Sequence, residues 1–175
     1  MTNRYKVEKD WTTRAGFRAV VVMGSLGYRC GYVGLPADHP LHGAEYNEPH
    51  PSLTYPAGEA CGKRGVVPIL LGGASPRPDV VFDVHGSLTY ARAGANNAYP
   101  VSSDGLWWFG FDCGHIGDAP SPEYVEERRR MFPHSPYMWG HSDGEHRTLE
   151  YCIDECESLA QQLIDRVKRT ENGND

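Results

Sequence analysis

Four side chains of the kind that move protons or hold metal ions fall in two glycine-flanked stretches of this sequence. His85 stands in Val84-His85-Gly86-Ser87-Leu88-Thr89-Tyr90, and Asp112, His115 and Asp118 stand in Trp107 to Asp118. The spacing Asp112-x-x-His115-x-x-Asp118 lets one helical turn gather all three. Two imidazoles and two carboxylates can hold a divalent ion. A neutral histidine oriented by an aspartate can instead act as a general base. The same residues also fit a purely structural corner, with Asp112 and Asp118 capping turns and His115 bonded to backbone. A third reading makes Tyr90, Trp108, Asp112 and His115 the lining of a non-catalytic ligand site. The spacing matches no established metal signature, and no nucleophilic serine motif accompanies it. Neither a Walker glycine–lysine loop nor a Gly-x-Gly-x-x-Gly after a strand occurs, so the usual nucleotide folds are not indicated.

Other reactive residues read more plainly. The five cysteines are Cys30, Cys61, Cys113, Cys152 and Cys156, an odd count with no Cys-x-x-Cys pair. That favours reduced thiols over a disulfide framework or structural zinc. Cys152 and Cys156 lie one helical turn apart on an apolar face, so they read as core packing, as does Cys113. His39 and His42 flank Pro40-Leu41 and read as a fixed turn rather than a metal pair. Arg128, Arg129 and Arg130 read as a solvated helix end. Tyr28, Tyr32, Tyr90, Trp107 and Trp108 fit either a stacking platform or, more in keeping with aromatic strand residues, a core.

The elements that must position these residues are legible in part. Phe17 to Met23 and Tyr28 to Leu35 are strand-like runs joined by Gly24-Ser25-Leu26-Gly27, which predicts an antiparallel hairpin. Six prolines and several glycines between Ala44 and Pro78 predict an irregular insertion or lid. Asp79 to His85 alternates apolar and polar residues and predicts a strand, paired as a second hairpin with Leu88 to Arg92. In Leu106 to Asp112, Trp107, Phe109 and Phe111 form the core face and Asp112 points the other way. Ser121-Pro122-Glu123 opens a short helix that ends at the arginine triplet before Pro133. Leu149, Cys152, Ile153, Cys156, Ala160, Leu163 and Val167 keep helical spacing over about five turns. The sum is one α+β domain over residues 1–171: an antiparallel sheet of about four or five strands packed by a long C-terminal helix, with 44–78 as the insertion and 172–175 as a frayed tail.

Several phrases also carry a resemblance as a set. Gly27-Tyr28-Arg29-Cys30-Gly31-Tyr32-Val33-Gly34 runs into His39-Pro40-Leu41-His42-Gly43, and later come Val84 to Tyr90 and Trp108-Phe109-Gly110-Phe111-Asp112-Cys113-Gly114-His115. With the Cys/Glu-rich closing helix, this resembles a family of small, mostly uncharacterised bacteriophage and prophage proteins, from Gly27 to Leu163 apart from the long insertions. Members read His-Gly-Gly where this chain has His85-Gly86-Ser87. The resemblance implies a phage setting and nothing catalytic, and the cofactor stays unknown; the reduced thiols point to a cytoplasm, here that of the host bacterium.

Composition narrows the function classes. The 175 residues carry 17 Lys+Arg against 23 Asp+Glu, a net charge of −6, with no basic tract, so nucleic acid is a poor partner. No apolar run approaches the roughly 20 residues that span a bilayer, and Met1 to Asp10 is too polar for a secretory signal. The leading expectation is a non-enzymatic cytoplasmic binding protein of phage origin, taking a small molecule or a host protein such as a defence component. The alternatives are a small hydrolase, metal-dependent or not, built on the His/Asp cluster, and a structural or assembly protein that forms a homo-oligomer through Tyr137-Met138-Trp139.

Overall fold

The computed structural model describes residues 5–53, 76–94, 105–136 and 143–167. Its sheet begins with β1 (Tyr5–Thr12), followed by β2 (Arg18–Gly24) and β3 (Arg29–Leu35). β2 and β3 form the expected hairpin, with Val20 opposite Tyr32 and Val22 opposite Cys30. Gly27 makes the turn at φ 80°, with the ring of Tyr124 lying where a β-carbon would sit. Only a residue without a β-carbon combines that backbone angle with that contact.

Two strands complete the sheet, β4 (Tyr90–Ala93) and β5 (Trp107–Asp112), giving the order β1-β2-β3-β5-β4 with every neighbouring pair antiparallel. The β1 strand went unread in the sequence because it is an edge strand made largely of charged and polar residues. Its burial lacks clean alternation, and its register shifts between Val7 and Lys9. Charges and a bulge are what an edge needs to avoid pairing with another chain.

Asp79 to His85 is not a strand. Pro78–Val81 is a single helical turn, α1, with the proline at its start and Asp79 in its first turn. Val81, Phe82 and Val84 are all buried, so the apolar residues follow no two-residue period. The segment's backbone is held by a side chain instead. Asp83 N–H donates to Gln162 Oε1 at 2.8 Å, and Gln162 Nε2 donates to the Asp83 carbonyl at 2.8 Å. A glutamine amide thus replaces the strand partner. The expected second hairpin is therefore absent, and β4 pairs with β5, Tyr90 opposite Gly110.

Two helices follow β5. The first, α2 (Pro122–Met131), has the expected Ser121 cap and ends on Arg128 to Arg130. The second, α3 (Leu149–Asp165), is capped by Thr148 and buries Cys152, Cys156, Leu159, Ala160 and Leu163. It lies over β3 and β2, against Ala19, Val21, Val33, Phe109 and Phe111. Gly31 on β3 admits that approach, because a β-carbon there would stand 2.4 Å from the Phe111 ring and 2.8 Å from Cys156 Sγ. The other face of the sheet carries a smaller buried cluster of Val20, Val22, Tyr32 and Trp108. The molecule is thus α+β, a five-stranded antiparallel sheet with a C-terminal helix packed on it.

Only the two ends of the 44–78 insertion lie among the described residues. They are tied down: Leu53 bridges Val167, His50 N–H donates to the Pro76 carbonyl, and Asp79 N–H donates to the Tyr46 carbonyl. The run Val66 to Leu71, the loop Tyr137 to Trp139 and the tail 172–175 fall outside the described residues. Among the described residues no helix is long and apolar enough to cross a membrane.

Candidate functional site: a His/Asp corner at the end of the sheet

Beyond β5 the chain does not make a helical turn. Cys113 N–H still donates to the Arg29 carbonyl, and then the chain turns through Gly114 to Gly117, with Asp118 N–H returning to the His115 carbonyl. Asp112 shapes the turn: its Oδ1 accepts from Gly114 N–H at 3.0 Å, and its Oδ2 accepts from the Thr89 hydroxyl at 3.2 Å. The two-residue strand β6 (Asp118–Ala119) then pairs in parallel with β7 (Glu145–His146). Gly144 is needed there, since a β-carbon would collide with the Asp118 backbone at 2.4 Å.

Asp118 is the buried centre, its side chain only 2% exposed. Its Oδ1 accepts from Arg147 Nε at 2.8 Å, while its Oδ2 accepts from His115 N–H at 2.9 Å and lies 2.8 Å from His85 Nε2. Burial by itself would raise this carboxyl, but Arg147, His85 and the His115 amide outweigh it and hold it below the usual value. With Asp118 ionised, the shared proton belongs on His85 Nε2, which leaves Nδ1 as an acceptor. Tyr151 supplies the donor, its hydroxyl 3.0 Å from Nδ1. Burial, aided by the Glu155 charge, pushes the Tyr151 phenol up to about 12, so it keeps its proton. Arg147 also stacks over the Tyr151 ring at 5.1 Å, and His85 N–H donates to Glu155 Oε2.

His115 differs from this satisfied array. Its ring rests on Gly86, where a β-carbon would stand 2.1 Å from Cε1. Its Nδ1 is buried and has no hydrogen-bond partner. It lies 3.8 Å from Asp112 Oδ1 and 3.9 Å from Asp118 Oδ2, beyond hydrogen-bond reach of both. The side chain as a whole is 35% exposed and that of Asp112 is 42% exposed, so solvent reaches the corner on their side. The backbone below is strained: Ser87 sits at φ 116°, a region that favours glycine, and its hydroxyl donates to the Asp79 carbonyl at 2.9 Å.

The structure therefore brings His85, Asp112, His115 and Asp118 together. It places Trp108, fully buried, and Tyr90, half-buried, in the apolar cluster of the second sheet face, with Tyr90 edge-on to Tyr32 at 5.3 Å. Arg147, Tyr151 and Glu155 belong to the corner and were missed in the sequence. Thr148 as a helix cap places Tyr151 in the first turn of α3, but nothing local links it to a histidine 66 residues away. His39 and His42 go separate ways: His39 Nδ1 accepts from Leu41 N–H, and His42 Nε2 bonds the Gly105 carbonyl. Comparison with protein-family models, with curated proteins and with solved structures finds no match.

Proposed function

We propose that this chain is a binding protein that takes a small polar ligand at the His/Asp corner, with His115 as the residue that meets it. The observation carrying this reading is the unpartnered Nδ1 of His115, held between two carboxylates and bonded to neither. A buried polar nitrogen without a partner costs about 1–3 kcal/mol, and a ligand that bonds it recovers that cost. The motif set supports placing the protein among small phage-encoded proteins acting inside a host bacterium. The partner is then a host small molecule, sequestered, or a host protein that presents such a group, including a defence component.

A hydrolase remains the second reading, because Asp118, His85 and Tyr151 form a continuous hydrogen-bonded array. Binding is preferred because both ring nitrogens of His85 are already engaged and its side chain is only 11% exposed. A general base needs a lone pair within reach of the substrate's proton.

Native mass spectrometry of the chain purified from a bacterial lysate tests the proposal. A retained adduct on the wild type that is lost in His115→Ala is the expected result. A bare chain in both overturns sequestration of a small molecule.

A further inference from the structure

We propose that His85, His115 and Asp118 hold one divalent first-row transition ion of the zinc class. This rests on the reading of the corner as the protein's site and names a ligand for it.

One ligand atom from each of the three residues can be chosen so that all lie within 4.8 Å of one another. Two donors about 2.0–2.1 Å from zinc, at a tetrahedral angle, stand roughly 3.4 Å apart. The distances here bracket that value, 2.8 Å from His85 Nε2 to Asp118 Oδ2 and 3.9 Å from His115 Nδ1 to the same oxygen. The His115 gap is too long for a hydrogen bond and close to the separation of two donors sharing an ion.

Either state of His115 without an ion is costly. An unprotonated Nδ1 turns its lone pair toward two carboxylates, and a protonated one has no acceptor in reach. An ion between Nδ1 and Asp118 Oδ2 removes both problems.

The surroundings are those of a ligand set. Arg147 occupies Oδ1 of Asp118 and leaves Oδ2 facing the histidines. Tyr151 sits on the far nitrogen of His85. When Nε2 takes the ion, the ring's single proton moves by way of solvent from Nε2 to Nδ1, and the Tyr151 oxygen, 3.0 Å away, turns to accept from it. Metal-bound histidines are oriented by such a bond from the other ring nitrogen. Two imidazole nitrogens favour zinc, iron, nickel or copper over magnesium or calcium.

The test uses the full chain, stripped with a chelator and titrated calorimetrically with Zn²⁺ alone. One ion per chain is expected for the wild type, with affinity falling about 100-fold or more in His115→Ala. Should that variant fail to fold by circular dichroism, His115→Gln takes its place. No stoichiometric Zn²⁺ in the wild type, or equal affinity in the folded variant, overturns the proposal. Co²⁺ gives a second readout: weak ligand-field bands alone support the His/Asp site. A strong thiolate charge-transfer band would assign the ion to Cys113 and Cys152 and overturn it. A lysate adduct of organic mass on a chain with no Zn²⁺ affinity defeats the ion while leaving the binding reading standing. Zn²⁺ binding with no organic adduct does the reverse.

Discussion

Asp112 closes β5 and Cys113 follows it, yet the two belong to opposite kinds of chemical neighbourhood. Cys113 turns under α3, where its Sγ lies 3.6 Å from Cys152 Sγ and both residues are buried. The Cys152 thiol beside it, with burial, pushes the Cys113 thiol well up, and burial does the same to Cys156. These are thiols kept protonated, packing as small apolar groups. Asp112 turns to the solvent side, beside His115, whose buried nitrogen has no partner. Both groups gather residues that can bind metals or react. What separates them is access and an unmet bond: the thiol cluster is sealed and satisfied by its own contacts, whereas the corner is partly open and leaves one nitrogen unanswered.

The sharpest way to break that contrast is Asp118→Asn. If the corner also carries the fold, removing a buried charge that faces Arg147 and His85 should cost roughly 3 kcal/mol in denaturant unfolding at neutral pH. The folded pKa of Asp118 is depressed below its usual 3.8. Its contribution is therefore complete above that value and is lost as pH falls through the folded value. The wild type should lose stability in that acid window, and the variant should show a shallower loss there. Equal acid slopes would place Asp118 outside the fold's support.

Next in size is a pair of glycine substitutions that add the same methyl on the two sides. Gly31→Ala drives a β-carbon into Phe111 and Cys156 and should cost about 1–3 kcal/mol, or more if the helix cannot shift. Gly86→Ala, at φ 66°, should cost about 1–2 kcal/mol from its backbone angle. Its larger effect should be to evict the His115 ring, read as a changed His115 Hε1 resonance in an otherwise preserved spectrum. Comparable spectral disruption in both variants would mean that the corner is as tightly packed as the core.

The smallest effect expected is at Ser87. Ser87→Gly relieves the positive φ but loses the bond to Asp79, so stability should move by less than about 1 kcal/mol. Ser87→Ala loses the bond and keeps the strain, and should be the less stable of the two by thermal unfolding. The reverse order would show that the backbone angle at residue 87 is no source of strain.

Much of this arrangement was legible from local pattern. The hairpin of β2 and β3, the faces of β5, the Ser121 cap and the buried face of α3 follow from alternation, helical spacing and cap chemistry, each settled within a few residues. The candidate quartet was legible too, because three of its members lie within one turn of chain. Asp79 to His85 misled because a short apolar run buried from all sides alternates by chance. Its partner is the amide of Gln162, which no two-residue period announces. β1 was hidden by the charges that suit an edge. Tyr151 and Arg147 were invisible because they reach the corner from α3 and the segment before it, through contacts with no local signature.

The clasp between Gln162 and the backbone of Asp83 spans 79 residues of chain, and the contacts of His85 with Glu155 and Tyr151 span 70 and 66. Closing loops of that length is entropically unfavourable until the contacts they permit are made together. The sheet can pair β1, β2 and β3 by short hairpins, but two of the anchors of His85, Glu155 and Tyr151, arrive only when α3 docks. On this account the corner should be completed only once the last helix is seated, and hydrogen exchange should find it opening before the β2–β3 hairpin. The geometry of the corner thus reports on the seating of the seventeen-residue helix α3.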